Sequence, residues 1–143
     1  MSSCFYCEDG QTRKDLMIEI LKLKTSTVYL NRDQKHKGRL VLKFKDHKTE
    51  VCQLTPEENQ QFFNELSVVC QAMVNLFHPD KINYGIYGDG VPHLHIHIVP
   101  KYKDGLQWGG PFKDDVPKVL LSDEEYQDLV NSYKNEITKI LSK

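Results

Sequence analysis

The sequence predicts a domain of mixed helices and strands, in the order helix, strands, helix, strands, helix. Three observations support this fold class. The 143 residues are close to the commonest domain size, two long segments carry apolar residues at helical spacing, and several short runs rich in β-branched and aromatic residues end at turns. We treat residues 1–143 as a single domain in which 113–143 form a carboxy-terminal helical extension.

The first third of the chain predicts a short helix followed by two strands. Residues 13–21 are compatible with the helix. Residues 23–31 are rich in Thr, Val, Tyr and Leu, and apolar side chains alternate over residues 40–45, so both segments are predicted to be strands. The polar residues 33–38 form the turn between them.

Two capping sequences predict the starts of long helices. Thr55 is followed by a proline at the first helical position and by Glu58 at the third, and Pro79 marks the end of this helix. Ser122 and Glu125 open the last helix in the same way. Each helix has one apolar stripe of the kind that packs in a core. The stripes are Phe62, Leu66, Val69, Cys70, Met73 and Phe77 in the first helix, and Tyr126, Leu129, Val130, Tyr133, Ile137 and Ile140 in the last.

Residues 81–87 and 92–102 are predicted to be two strands that pair as a hairpin through the turn Gly88-Asp89-Gly90. The second strand carries three histidines in strict alternation with apolar residues: His93, His95 and His97. Successive side chains of a strand point to opposite faces, so the three imidazoles would share one face about 7 Å apart. Such a row can hold a metal ion or supply a nucleophile with supporting neighbours, and the spacing alone does not choose between these.

The run from His93 to Val99 resembles the signature of the histidine triad family of nucleotide hydrolases and transferases. Asn31, the segment 38–42, His47 and the segment 55–58 follow the order and spacing of that family's domain, so the resemblance covers roughly residues 4–112. It implies an α+β fold with an antiparallel sheet of about five strands, a long central helix and a carboxy-terminal helix. Two such domains commonly join as a homodimer.

The resemblance also implies a reaction, namely cleavage at the α-phosphate of dinucleoside polyphosphates or nucleoside phosphoramidates. It gives the role of nucleophile to His95, which would carry a nucleotidyl-histidine intermediate, and supporting catalytic roles to His93 and His97. Neutral imidazole is nucleophilic at physiological pH, which fits this assignment. The activity expected is that of a diadenosine polyphosphate hydrolase. The alternative is a nucleotide-binding or metal-binding regulatory protein with little or no turnover.

Cys4 and Cys7 are separated by two residues, a spacing at which two thiolates can bind one zinc ion. From the residues alone such a pair can be redox-active, metal-binding or idle. The family's bacterial-type zinc-containing branch completes a tetrahedral site with two histidines, and the matching positions here are His47 and His93. The resemblance therefore implies a structural zinc ion, which would not itself activate water because four protein ligands close its coordination sphere.

Three further residues belong to the expected nucleotide pocket. The resemblance places Asn31 at the ribose hydroxyls and Asn83 near the phosphates, although a turn-favouring asparagine at a strand end is an alternative for Asn31. Trp108 lies in a glycine-rich loop after the histidine strand. It can cover the site, stack on a base or simply pack against the protein.

The chain departs from the family pattern at two places. Asp89 and Gly90 stand where the family usually has Gln and Ser or Thr, whose side chains contact phosphate. An acidic residue there repels phosphate unless it is protonated or gives a proton to the leaving group. Arg39 stands where a histidine is common, and its guanidinium can either restore phosphate affinity or pair with Asp89.

Composition excludes several classes of protein. The net charge of −1 gives no electrostatic reason to expect nucleic-acid or membrane binding, and no apolar run approaches the roughly 20 residues that span a bilayer. The amino-terminal residues 1–7 lack the basic and apolar regions of a signal peptide. We therefore expect a cytoplasmic protein, in which four cysteines do not form a disulfide framework.

Overall fold

The structure of the chain, a computed structural model, describes residues 4–143. Residues 1–3 lie outside the described residues, and with them part of the segment 1–7 to which the signal-peptide expectation refers. The elements follow one another as α1 (Phe5–Glu8), α2 (Gln11–Leu16), β1 (Met17–Lys22), β2 (Ser26–Asn31), β3 (Leu40–Phe44), a 3-10 turn (Val51–Gln53), α3 (Pro56–Phe77), β4 (Lys81–Gly85), β5 (His95–Lys101) and α4 (Asp123–Leu141). The expected α+β class is confirmed.

The five strands form one antiparallel sheet in the order β1-β2-β3-β5-β4. The apolar stripes of α3 and α4 pack on one face of this sheet and form the main core with inward residues such as Leu42, Phe44 and Ile96. The opposite face carries Tyr29 and Val41, against which the amino-terminal segment packs. Register pairs Lys43 with His95, which places the histidine strand beside β3 in the middle of the sheet.

Both predicted helix starts are confirmed as capping boxes. The Thr55 side chain accepts a hydrogen bond from the Glu58 backbone N–H, while the Glu58 carboxylate accepts one from the Thr55 N–H. Ser122 and Glu125 make the same pair of hydrogen bonds at the start of α4. These reciprocal bonds satisfy backbone donors that the first turn of a helix would leave free. No helix in residues 4–143 is both long and apolar enough to pass through a bilayer.

The predicted helix over residues 13–21 was wrong in its second half. The helix ends at Leu16, and Met17–Lys22 form β1, which pairs with β2 along its length. Sheet pairing outweighs the weak local helix preference of this segment. The predicted strand 23–31 begins only at Ser26, because the buried Glu65 of α3 accepts hydrogen bonds from the Thr25 N–H and the Ser26 hydroxyl and holds the preceding residues in a turn.

The histidine hairpin has shorter strands than predicted. Residues 81–87 form a strand only to Gly85, and residues 92–102 only from His95. The connection is therefore a loop of residues 86–94 rather than the tight turn Gly88-Asp89-Gly90, although β4 and β5 pair antiparallel as expected. Gly88 in this loop has a φ of 116°, a left-handed value that glycine adopts readily.

Candidate active site and metal site

The three histidines lie on the sheet face that α3 and α4 leave free. His95 and His97 belong to β5, and His93 precedes the strand. The prediction that all three lie on one strand was therefore wrong for His93. This residue nevertheless remains coupled to His95, because its backbone carbonyl accepts a hydrogen bond from Nδ1 of His95 at 2.5 Å. The rings of His95 and His97 are in edge-to-face contact, with centroids 5.1 Å apart.

The bond to the His93 carbonyl fixes the tautomer of His95. A carbonyl oxygen can only accept, so Nδ1 carries the proton and Nε2 carries the lone pair. Within residues 4–143 no hydrogen bond reaches this Nε2, which keeps a small accessible surface although His95 as a whole is buried. Burial lowers the pKa of His95, so the ring is neutral at physiological pH. The Tyr6 ring packs beside it, with centroids 4.9 Å apart.

His97 is oriented by Arg39. The guanidinium donates a hydrogen bond to Nδ1 of His97 at 3.2 Å, which leaves the ring proton on Nε2. Burial, and after it the cation of Arg39, lowers the pKa of His97 to about 3. His97 is therefore a neutral hydrogen-bond donor at physiological pH, next to a neutral acceptor on His95.

Arg39 also belongs to a network of ion pairs. Its Nη1 lies 3.4 Å from a carboxylate oxygen of Asp114, and Nζ of Lys35 lies 3.3 Å from that same oxygen and 3.0 Å from Asp33. No local motif in the sequence marks Lys35, Asp33 or Asp114 as members of the site. Of the two roles considered for Arg39, pairing with Asp89 is not the one found, because among the described residues its carboxylate partner is Asp114.

A cleft of about 880 Å³ opens beside His95 and His97. It brings together most of the residues predicted to bind nucleotide, namely Asn31, Arg39, Asp89 and Gly90. Its walls also include Tyr6, Lys35 and Asp114, which the sequence did not indicate.

Asn83 and Trp108 do not line this cleft. They line a neighbouring pocket of about 510 Å³, and Tyr87 lies in the wall of both. Trp108 is 42% exposed and so does not pack fully into the protein, and it lines the neighbouring pocket rather than the cleft of the histidines. Asn31 does line the cleft, but its side-chain NH₂ donates to the Asp33 backbone carbonyl at 3.0 Å, as a turn-forming asparagine does.

The four predicted metal ligands come together at the edge of the same face. One ligand atom from each of Cys4, Cys7, His47 and His93 lies within 4.8 Å of every other. Nδ1 of His93 is 3.5 Å from Sγ of Cys4, 3.4 Å from Sγ of Cys7 and 3.2 Å from Nδ1 of His47. The ligand atoms of a tetrahedral zinc ion are about 3.3 to 3.8 Å apart, so this donor set fits zinc in both kind and spacing.

The second nitrogen of His93 supports this reading. Nε2 donates to the Phe44 backbone carbonyl at 2.8 Å, which leaves a lone pair on Nδ1, the atom that faces the cysteines. Metal-ligating histidines commonly donate their other ring N–H to a carbonyl in this way. Cys52 and Cys70 are free cysteines outside the cluster.

Comparison with known proteins gives the following matches. The family model for the HIT domain matches residues 17–104. A bis(5'-adenosyl)-triphosphatase of Saccharomyces cerevisiae is 38% identical to the chain over 55 residues, which are 35% of this chain and 27% of that protein. The match thus spans little more than a quarter of the length of the curated relatives.

Two solved structures illustrate the similarity of fold. A histidine triad protein from Bradyrhizobium japonicum has a TM-score of 0.82 and 24% identity, over 90% of this chain and 96% of that one. A zinc-bound histidine triad family protein from Mycobacterium smegmatis has a TM-score of 0.64 and 18% identity, over 98% of this chain and 96% of that one. At these identities the similarity establishes the fold.

Proposed function

Since this chain belongs to the HIT family, whose domain model it matches over more than half of its length, we propose that it is a nucleotide hydrolase that uses His95 as its nucleophile. The observation that carries the proposal is the hydrogen bond from Nδ1 of His95 to the His93 carbonyl, which leaves the lone pair on Nε2 of a residue that lines the cleft. A nucleophilic ring needs one nitrogen free to attack and the other held, and the hydrogen bond of His95 supports this role.

The proposed reaction has two steps. Nε2 of His95 attacks the α-phosphorus of a dinucleoside polyphosphate, forming a nitrogen–phosphorus bond as the bond from that phosphorus to the bridging oxygen breaks. The rest of the substrate leaves with that oxygen and the electron pair. Water then attacks the phosphorus of the nucleotidyl-histidine, the nitrogen–phosphorus bond breaks and returns its electron pair to Nε2, and the nucleoside monophosphate leaves while one proton of the water passes to the solvent.

His97 and Arg39 have supporting roles in this proposal. Arg39 holds Nδ1 of His97, so the proton on Nε2 of His97 is available as a hydrogen bond to a phosphate oxygen. A donor that is already oriented before the reaction stabilises the charge of the transition state without reorganisation. The curated relative that acts on bis(5'-adenosyl) triphosphate supports this substrate class, over the short match given above.

We also propose that Cys4, Cys7, His47 and His93 hold a structural zinc ion. The spacing of their ligand atoms and the zinc-bound relative support this. When bound, the ion would stabilise the fold rather than activate water, because four protein ligands fill a tetrahedral sphere. His93, which would be one of the zinc ligands, also supplies the backbone carbonyl that orients His95. One residue would therefore link the metal site to the nucleophile.

A nucleotide-binding protein with little turnover is the second candidate. The observation that favours it is the exposed Asp89 in the cleft wall, at a position where the family usually places a neutral phosphate-binding side chain. Its charge opposes the approach of phosphate.

The experiment is hydrolysis of diadenosine triphosphate, followed by chromatography of the products. The hydrolase proposal expects AMP and ADP from the wild-type chain and a loss of at least about a thousandfold in kcat with His95→Ala. His78→Asn is the matched control, since His78 is exposed at the end of α3 and has a left-handed φ of 50° that asparagine tolerates. Binding without cleavage by the wild-type chain would favour the second candidate.

A further inference from the structure

Two cations whose side chains have little accessible surface line the cleft beyond His97. The side chains of Lys35 and Arg39 are only 2% and 5% exposed, yet both reach the cleft wall. A buried cation is costly unless an anion neutralises it. Both share one oxygen of Asp114, whose own side chain is 70% exposed.

The contacts to the two cations are unequal in strength. Lys35 has a second partner in Asp33, whose carboxylate also accepts hydrogen bonds from the backbone N–H groups of Lys35 and Val119 and is thereby fixed. Arg39 has no second carboxylate partner among the described residues. An exposed carboxylate such as that of Asp114 contributes little to an ion pair, because water solvates it almost as well.

Arg39 has hydrogen-bonding capacity to spare. Its Nε is the one buried side-chain nitrogen or oxygen without a hydrogen-bond partner in the part of the chain that the structure describes. A buried donor without a partner in a native structure calls for a ligand, a water molecule or a functional reason. Arg39 and Lys35 also share a single oxygen of Asp114. An anion with several acceptor oxygens would therefore bind these two cations better than that one carboxylate oxygen does.

The position of Lys35 and Arg39 relative to His95 indicates which anion they bind. Contacts lead from His95 to His97, from His97 to Arg39, and from Arg39 by way of Asp114 to Lys35. The cations therefore lie along the cleft wall, beyond the point at which His95 would attack. A phosphate chain that extends from the attacked phosphorus along this wall would reach them.

We propose that Lys35 and Arg39 form a subsite for the phosphates beyond the attacked one, and that the Asp114 carboxylate occupies this subsite until a substrate displaces it. The inference rests on the proposed function and narrows it to substrates with a polyphosphate chain, since a nucleoside phosphoramidate has no phosphate to fill the subsite. Asp114 belongs to a loop that hydrogen bonds hold on both sides of it. Gln107 bonds to the His36 side chain, and the Val119 carbonyl accepts from the Gln34 N–H. Only the exposed side chain of Asp114 has to rotate away.

The test is calorimetric titration of AMP, ADP and ATP into the His95→Ala chain, which cannot form the covalent adduct. We expect ATP to bind at least about tenfold more tightly than AMP, since hydrogen bonds to charged groups contribute this much. Lys35→Gln, introduced into the His95→Ala chain, should remove most of the difference between the ATP and AMP affinities, while the AMP affinity changes little. Lys35→Arg in its place should restore the difference. Asp114→Asn, which removes the competing charge, should strengthen ATP binding severalfold.

The control is Lys37→Gln, which removes an exposed lysine from the same loop and should leave all three affinities unchanged. The subsite is overturned if AMP and ATP bind equally well, or if Lys35→Gln weakens AMP and ATP by the same factor. In both of those cases AMP still binds, so the proposed nucleotide site survives. Failure of all three nucleotides to bind would overturn the proposed function together with the subsite.

Discussion

At the scale of single residues, the site depends on two neutral imidazoles held in complementary tautomers. His95 gives its Nδ1 proton to the His93 carbonyl, and His97 accepts at Nδ1 from Arg39. One ring therefore offers a lone pair at Nε2 and its neighbour a proton at the same position. Burial and the nearby cation of Arg39 keep the His97 ring from taking up a proton.

This arrangement predicts how His97 affects stability. The pKa of His97 is lowered from 6.5 to about 3 in the folded chain, so between these values the unfolded chain binds the extra proton. The free energy of unfolding should then fall as pH is lowered through this window, by up to about 1.4 kcal/mol per pH unit from this one group. We expect His97→Gln to show a weaker pH dependence than the wild type in urea unfolding at about pH 7 and about pH 5.

His78→Asn serves as the control and should follow the wild type at both pH values. If His97→Gln loses as much stability on acidification as the wild type, His97 does not titrate as described here.

The residues of the site differ in how far the sequence could predict them. The three histidines and the cysteine pair are regular patterns, so their spacing already indicated chemistry. Lys35 and Asp114 are 79 positions apart, and only the packing of two loops brings them together. Asn83 and Trp108 show the opposite case, because their nearness to the histidine strand in sequence did not place them in its cleft.

At the scale of elements, the sequence was most informative where local signals agreed with each other. Both capping boxes specified the starts of α3 and α4, because the hydrogen bonds that make a cap are local. β1 was missed because its stability comes from pairing with β2, a contact that periodicity within residues 17–22 does not reveal.

The amino-terminal helices give a prediction at this scale. With four and six residues, α1 and α2 are too short to be stable alone. Tyr6 of α1 packs against Met17, Tyr29 and Val41 of the sheet, and the metal site would anchor the same segment. We expect Cys4→Ser to lower the zinc content of the purified protein well below about one ion per chain, and to speed proteolysis within residues 4–16.

Cys52→Ser is the matched control, because Cys52 is exposed in the 3-10 turn and lies outside the cluster. It should keep the zinc content and the proteolysis rate of the wild type. Equal zinc content in Cys4→Ser would show that Cys4 is not a ligand.

At the scale of the whole molecule, the sheet separates stability from chemistry. α3 and α4 cover one face, yet α4 also supports the cleft from behind, since the Tyr133 hydroxyl donates to the Gly38 carbonyl in the loop that carries Lys35 and Arg39. Gly38 has a φ of 99°, and an added Cβ there would lie 3.1 Å from both Phe77 and Tyr133. A glycine is needed at this close approach.

Dimerisation is the prediction that belongs to this scale. β4 is an edge strand, and Tyr84 on it is 53% exposed, which is the kind of edge that pairs with a second copy. We expect sedimentation equilibrium to give about twice the chain mass of 16.6 kDa. Tyr84→Glu should weaken the association, whereas Leu141→Glu, at an exposed position at the end of α4, should not. A monomer at all concentrations would contradict this expectation.

The central claim is that His95 carries the nucleotide during turnover, and the most direct measurement is the intact mass of the chain after rapid quenching from diadenosine triphosphate. We predict a transient increase in mass of one adenylyl group, located on His95 by peptide mapping, absent from His95→Ala and retained in His78→Asn. Turnover without an adduct, or an adduct on another residue, would contradict the account.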